Sequence, residues 1–355
     1  MKIAPILQQL DLRENVETTL IHTGQHYDNS LSDVFFRDLQ IRPPDVSLNV
    51  GSGSHAKQTA DVMVAIEDVL NGSIRSKNPF HMVVVVGDVN STMAAALAAA
   101  KLHIPVAHVE AGLRSFDRQM PEEINRLVTD SISDLLFCSE PAGVENLLRE
   151  GHDHSKVHLV GNVMIDTLLS QVEKAKSQDT LTRLKLTPGA YGVVTLHRPS
   201  NVDHQPALAE LLNVLIDVSA QLPLVFPVHP RTRARMAEFG LDGVAARATN
   251  LMLLEPLGYL DFLCLTSQAK VIVTDSGGLQ EESTALQVPC LTMRNTTERP
   301  ITCSEGSGML IGNSVALLRD GLEQVIHGRY KQSRCPELWD GKAASRIVSL
   351  LDSAL

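Results

Sequence analysis

Aromatic residues are scarce in this chain: Phe, Trp and Tyr make up 4% of 355 residues, and there is one Trp. Without a stacking platform, and with a net charge of −10 that repels a phosphate backbone, the sequence excludes nucleic acid as a partner. Cysteine is equally thin. Cys138, Cys264, Cys290, Cys303 and Cys335 are odd in number, widely spaced and free of any CxxC pair, which argues against a disulfide framework or a thiolate zinc site. Cys138 and Cys290 lie in the apolar runs LLFCSE and VPCLTM, where a thiol behaves as a small hydrophobe. His152, His154 and His158 resemble a metal tract by composition, but they fall in a turn-like GHDHSKVH and do not read as a zinc site. No uncharged apolar stretch approaches the ~18 residues that span a bilayer. The opening MKIAPILQQLDLREN sets acids and amides straight after a short apolar patch, unlike a secretory signal, so a cytoplasmic protein is expected. GxGxxG and GxxxxGK[ST] are both absent, so phosphate must be held by other means than a nicotinamide fingerprint or a P-loop.

What remains is a globular composition, 44% hydrophobic and 20% charged, at a length that favours two domains. Short β-branched runs alternate with helix-period segments throughout, the sign of βα units around parallel sheets. Strands are expected at residues 18–22, 82–86, 106–109, 135–138 and 157–160 in the first half. The second half offers 192–196, 224–228, 251–254, 271–274 and 290–293. The valine run 83–86 and VIVTD at 271–275 lack polar alternation and predict strands buried on both faces. The expected organisation is an N-terminal Rossmann-like domain over 1–170, a C-terminal one over 171–338, and a last helix over 339–355, the first two parting in the polar stretch 170–189.

Ligands bind at the carboxyl ends of strands in such sheets. VVVVGDVNST places Asp88 there, followed by Asn90, Ser91 and Thr92; the residues serve either as helix caps or as an acid at the mouth of the sheet. HVEAGLRSFDRQMPEEINR puts Glu110 directly after a strand, and Pro121, Glu122 and Glu123 at a helix start. A carboxylate between Val109 and Ala111 is partly buried, a cost that needs a partner or a role. Asp88, Glu110 and Glu122 from successive βα units suit general acid–base work. In the second half, His197 and His229 end successive strands beside Arg198, Arg231 and Arg233, suggesting a basic pocket for an anion. VIVTDSGGLQEES opens a helix with Ser276, Gly277 and Gly278, where backbone N–H groups and the positive dipole end favour a pyrophosphate, and Glu282 follows within the first turns, placed to accept from sugar hydroxyls. MRNTTERP adds Arg294, Glu298 and Arg299, with two guanidinium groups able to clamp phosphate.

These motifs, together with HTGQHYD, GSGSHAKQT and GNVMID, occur in order over nearly the whole chain, which resembles the non-hydrolysing UDP-N-acetylglucosamine 2-epimerases. The resemblance implies two Rossmann-like domains with an interdomain cleft, the glycosyltransferase-B arrangement, and a last helix crossing back to the first domain. It implies epimerisation at C2 by anti elimination of UDP to a 2-acetamidoglucal and re-addition, with no metal or redox cofactor, in a homodimer. Catalytic roles fall on Asp88, Glu110, Glu122 and His197. Substrate contacts fall on Lys2, Arg114, His229, Ser276, Gly277, Gly278, Glu282 and Arg299, and an allosteric UDP-sugar pocket on Gln25 and His26. Family members begin with a strand and a GTRPE loop ahead of the segment matched by MKIAP, so the first strand of the N-terminal domain and an Arg-bearing loop are expected to be missing. A UDP-2,3-diacetamido-glucuronate epimerase shares some of these motifs; a glycosyltransferase or a non-catalytic UDP-sugar binder on the same fold are the alternatives of other classes.

Overall fold

The computed structural model describes residues 1–24, 41–241, 243, 248 and 250–354; Gln25 and His26 lie outside them. The chain forms two compact units, Met1–Thr167 with Glu337–Leu355, and Leu168–Pro336. Both are α/β. In the first unit β1 (Ile21–His22) pairs in parallel with β2 (Val46–Ser47). A separate parallel sheet runs β3 (Val83–Val86), β4 (Val106–Val109), β5 (Leu135–Cys138) and β6 (Val157–Leu159) in sequence order. The second unit has one six-stranded sheet built from β7 (Gly192–Thr195), β8 (Leu224–Pro227), β9 (Leu251–Leu254), β10 (Val271–Thr274), β11 (Cys290–Thr292) and β12 (Gly308–Leu310). Its order is β12-β11-β10-β7-β8-β9, all parallel, so the winding reverses between β7 and β10.

The two valine-rich runs part company here. VIVT of β10 is buried throughout between β7 and β11. The run Val83–Val86, expected to be buried on both faces, is fully buried only at Val85, because β3 is the edge of its sheet among the described residues. Strands β2 and β12 were not expected. They are two and three residues long, too short to carry a period in the sequence, and β12 opens on a glycine. No described helix is long and apolar enough to cross a membrane.

The final segment belongs to the first unit's core. Ile347, Val348 and Leu351, spaced for one helix face, pack with Ile6, Val109, Phe137 and Val160. Asp166 accepts from the Ala343 and Ala344 amides at 3.1 and 2.7 Å, meeting the first N–H groups of helix Ala343–Ala354 that have no partner of their own. Ahead of it, Trp339 is buried with its indole N–H on the Ser139 carbonyl at 3.0 Å. A Cβ at Gly161 would come within 2.1 Å of the Leu338 carbonyl oxygen, so only glycine lets this segment lie down. Trp339 is the only Trp, and its fluorescence reports the unfolding of this unit. Ile347→Ala should lower the unit's stability by about 2–5 kcal/mol, the range for an aliphatic cavity, in urea titrations read at Trp339. Exposed Leu12→Ala should change it by less than about 0.5 kcal/mol; equal effects would show that the last helix is not part of the core.

Candidate active site

In the first unit the carboxylates stand at the strand ends. Gly87 turns the chain after β3 in a left-handed conformation, φ 76°. The next helix, Asn90–Lys101, takes Val89 as its N-cap with no side-chain cap, so Asp88 is not used for capping. Its Oδ2 instead accepts from Arg126 Nη1 at 2.6 Å. Glu110 follows β4 directly. It is 4% exposed, its φ is 71°, and the Lys2 ammonium is ion-paired to its Oε2. A left-handed glutamate costs on the order of 1–3 kcal/mol, a strain that persists where the surroundings over-determine the backbone. Glu122 is half-buried in the first turn of helix Pro121–Ile132.

Its neighbour Glu123 turns the other way and holds the loop between β4 and this helix. It accepts from the Ser115 amide and hydroxyl, the Phe116 amide, and Arg126 Nε and Nη2, all within 2.7–3.1 Å. Burial pushes its carboxyl pKa up, but the Ser115 amide and the Arg126 guanidinium outweigh that and hold it below the usual range. Arg126 therefore bridges Glu123 to Asp88, a role not expected from MPEEINR. Arg114, expected to touch substrate, is placed elsewhere. Its Nε and Nη2 grip Glu150 at 2.8 and 2.6 Å, while Nη1 meets Asp130 at 2.7 Å and the Leu113 carbonyl at 2.8 Å. A buried guanidinium with its donors so engaged fastens the loop rather than facing a ligand.

In the second unit the ends of β7 and β10 meet where the winding reverses, the position at which doubly wound sheets hold ligands. Asp275, at the end of β10, is wholly buried. Its carboxylate accepts from the backbone amides of His197 and Arg198, from Asn201 Nδ2 and from His197 Nδ1, the last at 2.8 Å. Burial raises its pKa, yet the His197 and Asn201 hydrogen bonds prevail and keep it below the ordinary value. With Nδ1 on Asp275 as the donor, His197 keeps Nε2 without a partner among the described residues, on a side chain 37% exposed. The signal for Asp275 lay in VIVTD, an acid ending a strand just as Asp88 and Glu110 do, though no site role was expected of it.

His229 stands 5.2 Å from His197 between ring centroids. Its Nδ1 accepts from the Arg231 amide, and burial followed by the nearby His197 lowers its pKa. Of the arginines of the expected basic pocket, Arg231 pairs with Asp203 and Arg233 reaches Glu255 at 3.3 Å and the Leu254 carbonyl, while Arg198 stays beside His197 with its Nε donating to the Asp275 carbonyl at 3.3 Å. The other expected place for an anion is the start of helix Gly277–Ala285. Ser276 is its N-cap and makes no side-chain cap bond; with Gly277 and Gly278 it is half-buried. A Cβ at Gly277 would sit 3.7 Å from Arg299 Nη1 and 3.9 Å from Arg294 Nη1, so two guanidinium groups flank the first turn. Arg294 is held bidentately by Glu298, at 3.0 and 2.7 Å, and Arg299 by Glu281 at 2.5 Å. Burial raises the Glu298 pKa, and the Arg294 pair more than reverses this, to about 2. Backbone donors, the helix dipole and two fixed cations are groups of the kind that suit a phosphate.

A family model described as UDP-N-acetylglucosamine 2-epimerase matches residues 8–352. The Methanocaldococcus jannaschii UDP-N-acetylglucosamine 2-epimerase is 39% identical over 99% of this chain and 95% of its own length. Its crystal structure in complex with UDP-GlcNAc and UDP superposes with a TM-score of 0.86, at 39% identity, covering 99% of this chain and 96% of that one. A Pseudomonas aeruginosa UDP-2,3-diacetamido-2,3-dideoxy-D-glucuronate 2-epimerase is 36% identical over 99% of this chain and 96% of its own.

Glu282, buried on the same helix, stands apart from the paired acids. Burial and the adjacent Glu281 charge raise its pKa from 4.5 to about 7. Between those pH values the folded protein holds a proton that the unfolded chain has released, so stability falls as pH rises through the window. Glu282→Gln removes this titration. The variant should match the unmodified protein near pH 4.5 and exceed it above pH 7 by roughly 3 kcal/mol, measured as denaturation midpoints against pH. A difference that does not grow with pH would show that Glu282 titrates as an ordinary carboxyl.

Proposed function

Because the chain belongs to the UDP-N-acetylglucosamine 2-epimerase family, we propose that it interconverts UDP-N-acetylglucosamine and its C2 epimer, UDP-N-acetylmannosamine, as an isomerase. The observation that carries this reading is that a whole-chain match coincides with intact chemistry in each unit: separate strand-end acids in one, a phosphate cradle with an oriented histidine in the other. The C2 proton is weakly acidic, so its removal must be coupled to departure of UDP. A carboxylate among Asp88, Glu110 and Glu122 takes that proton. The C1–O bond to the β-phosphate breaks with its electron pair on UDP, leaving a C1=C2 double bond in the glucal. Re-addition of UDP and return of a proton to the opposite face of C2 completes the inversion.

Charge accumulates on the pyrophosphate during the first step. Ser276, the amides of Gly277 and Gly278, and the guanidinium groups of Arg294 and Arg299 supply donors for it, and His197 Nε2, aimed by Asp275, adds a hydrogen bond or a proton. Lys2 is the counter-charge of Glu110, Glu282 is assigned to the ribose hydroxyls, and His229 neighbours His197 on the phosphate side. A homodimer is inferred from the family resemblance, and light scattering on the purified protein tests it.

Proton NMR of reactions with UDP-N-acetylglucosamine should show UDP-N-acetylmannosamine forming without any acceptor, which distinguishes epimerisation from glycosyl transfer. The Pseudomonas relative makes UDP-2,3-diacetamido-glucuronate the competing substrate; faster turnover of that sugar would reassign the substrate and keep the reaction. Glu110→Gln and His197→Asn should each lower kcat by ~10² or more, with calorimetric affinity for UDP retained in Glu110→Gln. Near-normal turnover in both variants would remove these residues from the mechanism.

A further inference from the structure

We propose that the buried His108–Asp130 pair is a positioning element that fixes the three candidate acid–base carboxylates relative to one another; which atoms react rests on the epimerase reading. His108 lies on β4 and Asp130 in the last turn of helix Pro121–Ile132, both fully buried. His108 Nδ1 meets Asp130 Oδ1 at 2.6 Å, and Nε2 meets the Gly87 carbonyl at 2.9 Å. Since both partners are oxygen acceptors, the imidazole donates from both nitrogens. Asp130 Oδ2 accepts from the Gly112 amide at 3.1 Å and from Arg114 at 2.7 Å.

Each contact ends beside an acid. Gly87 precedes Asp88, Gly112 follows Glu110 by two residues, and the helix that carries Asp130 carries Glu122 in its first turn. A Cβ at Gly112 would fall 2.3 Å from the Gly143 carbonyl oxygen, so the loop is pressed against its neighbour while Asp130 holds its amide. Here the His108–Asp130 pair joins the turn after β3, through the imidazole, and the loop after β4, through the carboxylate, to the helix beyond, three elements whose mutual register sets the geometry for proton transfer.

Two substitutions separate positioning from stability. His108→Phe keeps the ring volume and removes both donors. Asp130→Asn keeps every bond, with its amide nitrogen donating to a singly protonated His108 and its oxygen accepting from Gly112 and Arg114. Misplacement of the acids by about an ångström should lower kcat of His108→Phe by ~10²-fold, counted per UDP-binding site, with KM and UDP affinity within about threefold; Asp130→Asn should stay within about fivefold of the unmodified enzyme. Amide hydrogen exchange at residues 87–92 and 110–116 should accelerate in His108→Phe and not in Asp130→Asn. If His108→Phe does not fold, Asp130→Ala, in which Arg114 keeps Glu150, carries the same expectation. Unchanged kcat per binding site, or unchanged exchange in both segments, would overturn the proposal. If the unmodified protein does not turn over UDP-N-acetylglucosamine, the epimerase reading falls while the exchange comparison still decides the clamp.

Discussion

A carboxylate removed from water at the end of a parallel strand costs several kcal/mol unless a cation or a set of N–H donors meets it. That cost orders both units. In the first, Lys2 answers Glu110, Arg126 answers Asp88 and Glu123, and His108 with Arg114 answers Asp130. In the second, His197 and three N–H groups answer Asp275, Arg299 answers Glu281, and Arg294 answers Glu298. Glu282 has the acid Glu281 as its charged neighbour, and burial together with that charge raises its pKa to about 7.

The same pairing separates scaffold from chemistry. Arg114 is held by Asp130 and Glu150, Glu123 by Arg126 and the Ser115 and Phe116 amides, and Arg126 also reaches Asp88, so these groups fasten loops and steady one acid. The candidate reacting groups are of another kind: Asp88, Glu110 and the half-buried Glu122, the Nε2 of a histidine whose other nitrogen is pinned, and a glycine-opened helix start between two guanidinium groups. Epimerisation by elimination needs such a division, because one set of groups must move a proton while the other receives charge without moving.

Much of this was legible in the sequence. The βα alternation and the buried VIVT strand required only periodicity, and Asp88, Glu110, His197 and the SGG helix start declared themselves as polar residues at strand ends. What stayed hidden depended on neighbours distant in sequence. The four valines of β3 look as apolar as those of β10, and only the order of strands tells that one run is an edge. Arg114 and Arg231 read as free cations until Glu150 and Asp203 are brought beside them, and Asp275 gained its meaning from His197, 78 residues earlier. Burial of polar residues is what a one-dimensional reading sees least, since the partner that makes it tolerable is fixed by the fold.

The central claim is that carboxylates on the protein move the C2 proton of a UDP-sugar. Equilibrating the protein with UDP-N-acetylglucosamine in deuterium oxide and following C2 by proton NMR and mass spectrometry tests it most directly. The account predicts that both epimers lose their C2 proton signal and gain one mass unit, because a proton held on a carboxylate exchanges with solvent before it returns. Interconversion of the epimers with protium retained at C2, or no incorporation and no interconversion at all, would contradict it.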